Sequence, residues 1–300
     1  MEHRIHYLRE IADRICYVKD GRIAHEWTPV ELESKGPEYA ASLGLRCMNL
    51  KQLGETEDAR LRGHDKKCVV ATLNSFQGKQ SPAEALTFRD LHFAYNRKFT
   101  VLDIPVLSLP RNQITAIIGH NGAGKSTLAQ VLCGLRGTWR QKRKARKYGA
   151  YLIMQDVNHQ LFTESVLDEI LLGMNPQDEK ATLEILERLN LKDYASCHPM
   201  ALSGGQKQRV AIGSGVSSGR EIVVFDEPTS GLDYRQMLSV SASLQKLAAT
   251  GKTLLVITHD PEFILNCCDS VIRMDHGKIA EQYPLHGNWE RLICSMTESN

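Results

Sequence analysis

The chain has 300 residues, 42% of them hydrophobic and 24% charged, with a formal net charge of +2. That length buries a sizeable core in one or two domains, and the near-neutral balance predicts no strongly electrostatic partner. No apolar run approaches the ~18 residues that span a bilayer, so a membrane role would come through a partner. The N-terminus, Met-Glu-His-Arg, has no apolar stretch, and no signal peptide is expected.

The first elements repeat the last. His3 to His25 aligns without a gap on His259 to Glu281, at an offset of 256. His3 matches His259, Asp13 matches Asp269, and Gly21, Ile23 and Ala24 match Gly277, Ile279 and Ala280. The shared pattern is a histidine, a helix and a two-strand turn ending Gly-[Arg/Lys]-Ile-Ala. Residues 1–32 therefore read as the remnant tail of a first domain copy. Lacking the sheet of that copy, 3–26 is expected to be mobile or to dock on the intact domain. Residues 33–85 are polar and aperiodic, and read as a linker with a short helix around 39–45.

From Leu86 strand and helix patterns alternate, which predicts an α/β domain over 86–285 with a mixed, mainly parallel sheet. Residues 286–300 read as a C-terminal tail. The aromatic Tyr95 is a candidate for stacking on a nucleobase, in competition with Phe93 and Phe99. Ile114–Ile118 reads as a buried strand, followed by Gly119-His120-Asn121-Gly122-Ala123-Gly124-Lys125-Ser126-Thr127 and then a helix. This is G-x-x-x-x-G-K-[ST] in its strand–loop–helix context. Its glycines let backbone N–H groups turn inward on a phosphate at a helix N-terminus. Lys125 would reach the β- and γ-phosphates, and Ser126 would ligate Mg²⁺.

The basic run Arg140, Lys142, Arg143, Lys144, Arg146, Lys147 reads as a solvated loop, with lipid headgroups as the sharper alternative. Gln155 ends the strand 151–154 and is a candidate contact for Mg²⁺ or an attacking water. Leu202-Ser203-Gly204-Gly205-Gln206 opens a helix and makes a second anion-binding N-terminus. One nucleotide does not need two, so Ser203, Gly204, Gly205 and Gln206 are expected to serve a nucleotide on another subunit. Gly213 and Gly215 lie in the helix that follows, where each costs roughly 1 kcal/mol unless tight packing demands it.

The apolar strand Ile222–Phe225 ends in Asp226 and Glu227. Asp226 is placed to hold Mg²⁺ through water, and Glu227 to act as general base. Asp233, in Ser230-Gly231-Leu232-Asp233, is a candidate to cross a dimer interface. Gln236–Ala249 reads as an amphipathic helix. His259, after the strand Thr253–Ile257, is placed to hydrogen-bond the γ-phosphate. The eight cysteines form no C-x-x-C pair, so they read as free, mostly structural thiols in a reducing compartment.

Together GHNGAGKST, Gln155, LSGGQ, VVFDEP, SGLD and THD resemble the nucleotide-binding subunit of ATP-binding-cassette transporters. The stretch from Gln155 to Val166 is similar to the energy-coupling-factor type of vitamin and metal-ion importers. The resemblance implies ATP and Mg²⁺ as ligands and a second ATPase domain as partner. It also implies a helical subdomain at about 157–210 docking a transmembrane coupling protein, a separate membrane subunit that chooses the substrate, and a location at the cytoplasmic face of the membrane. Some members fuse two ATPase domains in one chain, as the repeat suggests. A cassette ATPase acting on ribosomes or nucleic acid is the alternative. The separation of Lys125 and Asp226, 101 residues without heptads, disfavours chromosome-maintenance types.

Overall fold

The structure is a computed structural model and describes residues 5, 9, 11–54, 85–96, 99–137, 142–143, 149–174 and 176–297. His3, Cys68, residues 55–84 and most of the basic run lie outside the described residues.

At the centre is a six-stranded sheet in the order β10-β9-β5-β8-β7-β6. Its strands are β5 (Ile114–Ile118), β6 (Ala150–Ile153), β7 (Ile222–Asp226), β8 (Thr253–Ile257), β9 (Ser270–Asp275) and β10 (Lys278–Pro284). All neighbours pair in parallel except β9 with β10. The continuous apolar runs follow from burial on both faces. Period-2 alternation sends Val223, Phe225, Leu254 and Val256 to one core, and Ile222, Val224, Leu255 and Ile257 to the other.

The second core holds helix α3 (Lys125–Leu132) between the sheet and a long hairpin, β3 (Leu86–Asn96) with β4 (Phe99–Leu109). The first core takes α7 (Tyr234–Ala249), α8 (Pro261–Cys267) and a helical region. In that region α4 (Val166–Leu171), α5 (Glu179–Arg188) and α6 (Gly204–Ser217) pack together. The two helix glycines have a physical reason. A Cβ on Gly213 would stand 2.7 Å from Ile170 Cδ1, and one on Gly215 would sit 3.4 Å from Ile153, Tyr151 and Val223. Helix α6 therefore lies close on α4 and on the sheet. A last helix, α9 (Trp289–Thr297), follows β10.

The repeat is visible in the backbone. Strands β1 (Ile15–Lys19) and β2 (Arg22–Trp27) pair as Lys19↔Arg22, Val18↔Ile23, Tyr17↔His25, Cys16↔Glu26 and Ile15↔Trp27. Strands β9 and β10 pair as Asp275↔Lys278, Met274↔Ile279, Arg273↔Glu281, Ile272↔Gln282 and Val271↔Tyr283. Each position differs by 256, and the bulge skips Ala24 in one and Ala280 in the other. Both turns use two left-handed residues, Asp20-Gly21 and His276-Gly277. That geometry suits the twist of a two-residue hairpin.

The N-terminal hairpin has found its own packing. Ile5, Ile15, Trp27, Leu32 and Met48 form a small core, with Tyr17, Tyr39, Leu43 and Leu45 against it. Residues 33–54 depart from the linker reading. Helices α1 (Pro29–Ser34) and α2 (Gly36–Ser42) lie here, the first opened by a capping box between Thr28 and Glu31. The expected helix at 39–45 starts and ends three residues earlier. Residues 42–47 then run as a strap against the ATPase-like domain. Gly44 O accepts from Tyr234 N at 3.2 Å, and Ser42 O from Arg235 at 3.0 Å. Arg46, fully buried, bonds Asp260 at 3.0 Å and Glu262 at 3.3 Å. Polar composition hid this strap, because its one large buried side chain is an arginine.

Two carboxylates share that guanidinium. Burial pushes the Glu262 carboxyl up to about 7 from 4.5, against the Cys47 amide and Arg46, which pull it down. A raised carboxyl favours the protonated form in the folded chain. Its stabilising contribution is therefore complete below pH 4.5 and is lost as pH rises through about 7. We expect Glu262→Gln to match the wild type in thermal stability near pH 4.5 and to exceed it above pH 7. Parallel melting series across that range check this.

A second expectation concerns the β9–β10 turn. A Cβ on Gly277 would stand 2.1 Å from Val101 O, at φ +77°. Gly277→Ala should cost about 2–4 kcal/mol, from left-handed strain plus overpacking against backbone. Urea unfolding of the two proteins measures it.

Candidate nucleotide site

Parallel register brings the site together. Ile117 lies level with Ile257, Asp226 with Ile257, and Ile153 with Phe225. The loops after β5, β6, β7 and β8 thus open along one edge of the sheet, at the C-terminal ends of its strands. They carry the phosphate loop, Gln155, Glu227 and His259 respectively.

The phosphate loop is held by close backbone approach. Gly119 has φ +145°, and a Cβ there would meet Met274 O at 2.3 Å. Gly277 N donates to Ala123 O at 3.0 Å. His120 braces the loop from the side, its Nε2 3.0 Å from Asp275 Oδ1. The turn of β9–β10 is thus the floor of the loop, and Asp275, His276 and Gly277 are site-supporting residues that the motif search missed. Asn121 and Gly122 are exposed, Ala123 is buried, and Thr127 is half-buried.

Helix α3, like the short α2, begins without a side-chain cap. Helices α1, α4, α5, α6, α7 and α8 start with side-chain caps from Thr28, Ser165, Asp178, Ser203, Asp233 and Asp260. Helix α3 starts at Gly124, left-handed at φ +97°, with no side-chain cap. Its first-turn N–H groups are therefore offered to an anion in the loop. Nothing lies within 4 Å of a Cβ on Gly122, so this face is open to a ligand.

The charges around it are desolvated. Lys125 is 7% exposed, and its Nζ donates to Gly119 O at 2.7 Å and His120 O at 3.0 Å. Burial pulls its ammonium below the ordinary value, opposed by Glu227 and Asp226. Burial likewise pushes the Asp226 carboxyl up, opposed by a hydrogen bond with Ser126 and by Lys125. A hydroxyl and a carboxylate joined in this way are hard oxygen donors at one point. They fit Mg²⁺, which would relieve the burial of Asp226.

Glu227 holds φ +49°, an uncommon conformation for glutamate. Its N–H donates to Ile257 O at 2.9 Å, which ties the turn to β8. Thr258 Oγ1 stands 3.4 Å from Glu227 Oε2, and His259 Nε2 stands 3.8 Å from Glu227 Oε1. Base and switch candidates thus face each other across neighbouring strand ends. Strain at such a point is a mark of function. Gln155 is exposed, two residues beyond the end of β6.

Other predicted residues lie elsewhere. Ser203 and Gln206 cap α6 reciprocally: Ser203 N donates to Gln206 Oε1 at 2.8 Å, and Gln206 N to Ser203 Oγ at 3.4 Å. Among the described residues no hydrogen bond or ion pair joins 203–206 to the phosphate loop. A Cβ on Gly204 would meet nothing within 4 Å, so no intramolecular contact calls for glycine there. Asp233 caps α7, accepting from Gln236 N at 2.8 Å. Tyr95 is 59% exposed and stacks edge-on with Phe93 at 5.1 Å, while Arg136 lies 5.1 Å over its ring.

Comparison with known proteins agrees with this geometry. The family profile described as "ABC transporter" matches residues 102–230. A putative ABC transporter ATP-binding protein of Treponema denticola is 37% identical over 290 residues, covering 94% of this chain and 56% of the relative. The chain thus spans a little over half the length of the curated relatives it matches. Among solved structures, cbiO1 of Clostridium perfringens, part of the ABC transporter complex cbiONQ, superposes with a TM-score of 0.60 at 26% identity. That match covers 69% of this chain and 90% of cbiO1. The ADP conformation of MJ1267, an ATP-binding cassette of an ABC transporter, superposes at 0.63 with 23% identity, over 72% of this chain and 98% of that one. The matched region contains the phosphate loop, helix α6 and the acidic strand end whose geometry is given above, and residues 102–230 belong to the ABC transporter family.

Proposed function

We propose that the chain is the ATP-hydrolysing subunit of an importer of the energy-coupling-factor kind, driving uptake of a vitamin or metal ion through membrane partners. One observation carries the reading: two anion-binding helix starts stand apart. At one, the uncapped N-terminus of α3 lies beside desolvated Lys125 and Asp226. At the other, Gly204 at the start of α6 has no internal contact. A second ATPase domain, presenting its own signature to this phosphate loop, completes both. The copied hairpin at 15–27 supports a pairing of two such domains, and the likeness to cbiO1 supports the importer type.

The residues divide the work. Backbone N–H groups of 121–127 hold the phosphates, and Lys125 turns from its loop carbonyls to the β- and γ-oxygens. Ser126, Asp226 and Gln155 would hold Mg²⁺, which when bound neutralises charge on the phosphates. Glu227 takes the proton of the attacking water, and His259 orients the γ-phosphate. Tyr95 stacks on the base. Asp233 reaches toward the paired domain. The subdomain of α4–α6 passes the closing motion to a transmembrane coupling protein, which places the chain at the cytoplasmic membrane face. Among the described residues no helix is long and apolar enough to cross a membrane itself.

Glu227→Gln should retain ATP binding and lose turnover by about 100-fold or more. Undiminished hydrolysis would remove the base. Ser203→Arg should leave nucleotide affinity intact and abolish turnover, since the signature acts on the opposed nucleotide. Affinity capture from membranes, read by mass spectrometry, separates an integral membrane partner from ribosomes.

A further inference from the structure

The geometry assigns to Arg46 the role of a positioning residue for hydrolysis: it locks the turn that follows Glu227 to the turn that carries His259. This rests on the hydrolytic reading of the same site. Three facts support it. First, one guanidinium touches both turns. It donates to Leu232 O at 3.2 Å on the 229–233 turn, and pairs with Asp260 at 3.0 Å and Glu262 at 3.3 Å just past His259. Second, Asp260 relays the link, accepting from Thr229 Oγ1 at 2.9 Å while its own N–H donates to Thr258 Oγ1 at 3.1 Å. Thr258 Oγ1 in turn stands 3.4 Å from Glu227 Oε2. Third, the backbone on either side of Arg46 fastens to the same two turns. Gly44 O accepts from Tyr234 N, and Cys47 N donates to the Glu262 carboxylate.

A merely adhesive strap would not need this chemistry. Buried ion pairs contribute little net stability compared with apolar packing of the same volume, because desolvation offsets their attraction. What directed, charged contacts provide is a fixed geometry. Here the geometry fixed is the 3.8 Å spacing of His259 and Glu227, two side chains on different strand ends. The strap is covalently continuous with the N-terminal hairpin. Any movement of that hairpin therefore reaches the hydrolytic pair without passing through the phosphate loop.

The test uses the full chain with Arg46→Met, Arg46→Lys and Asn49→Ala. Asn49, two residues past the strap, bonds Glu33 through Nδ2 at 2.6 Å and accepts from Lys51 N and Gln52 N, and it touches neither turn, so its variant destabilises the N-terminal region without removing a contact to either turn. Affinity for a fluorescent ATP analogue, kcat, KM and amide hydrogen exchange are read on each. For Arg46→Met we expect nucleotide affinity and KM within about twofold and kcat lowered about 10- to 100-fold. Exchange should quicken over 229–236 and 258–264 and stay unchanged over 119–127. Arg46→Lys should recover part of kcat, and Asn49→Ala should lower the melting temperature with kcat kept. Unchanged exchange at both turns in Arg46→Met overturns the proposal whether or not the wild type turns over. So does a loss of kcat that Asn49→Ala reproduces at equal loss of stability. Failure of the hydrolytic reading looks different: Glu227→Gln would then hydrolyse as fast as the wild type.

Discussion

The structure depends on a close backbone contact between the phosphate loop and the β9–β10 turn. Gly119 lies against Met274 O and Gly277 against Val101 O, with no room for a Cβ at either. This contact sets the loop on the edge of β5 and presses β4 over it, so that α3 is caught between hairpin and sheet. The parallel register does the rest. Once β5 is placed, Asp226 and Ile257 follow at the same level, and Glu227 and His259 arrive by strand order alone. The site is thus a property of backbone packing first and of side chains second.

Electrostatics then explains why such a site waits for a ligand. Lysine and aspartate are both drawn from water, each shifted toward its neutral form by burial and only partly restored by the other. A helix start without a side-chain cap adds uncompensated donors. These features cost free energy in the free chain, and the phosphates of a nucleotide in the loop would offset it. Binding energy is therefore stored in advance at the place where charge is handled.

Much of this was legible in the sequence. Motif and context placed Lys125 at a helix start and Asp226, Glu227 and His259 at strand ends, because buried parallel strands read as unbroken apolar runs. The repeat at offset 256 foretold the two-strand turn of the N-terminal hairpin, and the structure adds the bulge that both copies share. What stayed hidden was long-range and polar. Arg46 sits in a stretch with no periodicity, and nothing local announces that its carboxylate partners lie more than 200 residues away. Gly213 looked like a defect until Ile170 was seen against it. Asp275 and His276 lie far from the phosphate loop in sequence, and only the β9–β10 turn brings them to its wall. Helix α6 opens at Gly204 with Ser203 as its N-cap, but a single chain gives it no nucleotide to meet.

The two hairpins carry one further lesson. At 270–284 Met274 is buried and Ile279 half-buried, while at 15–27 their counterparts face water, Val18 at 51% and Ile23 at 63% exposure. Pairing, bulge and turn are nonetheless the same in both. The shape is therefore written in the ribbon's own turn residues and not imposed by the surface beneath it. Such a ribbon is portable, because its pairing and turn are local in sequence. It can be carried away from its parent domain and put to a different use, here as the mooring post from which a strap is drawn across a neighbouring engine.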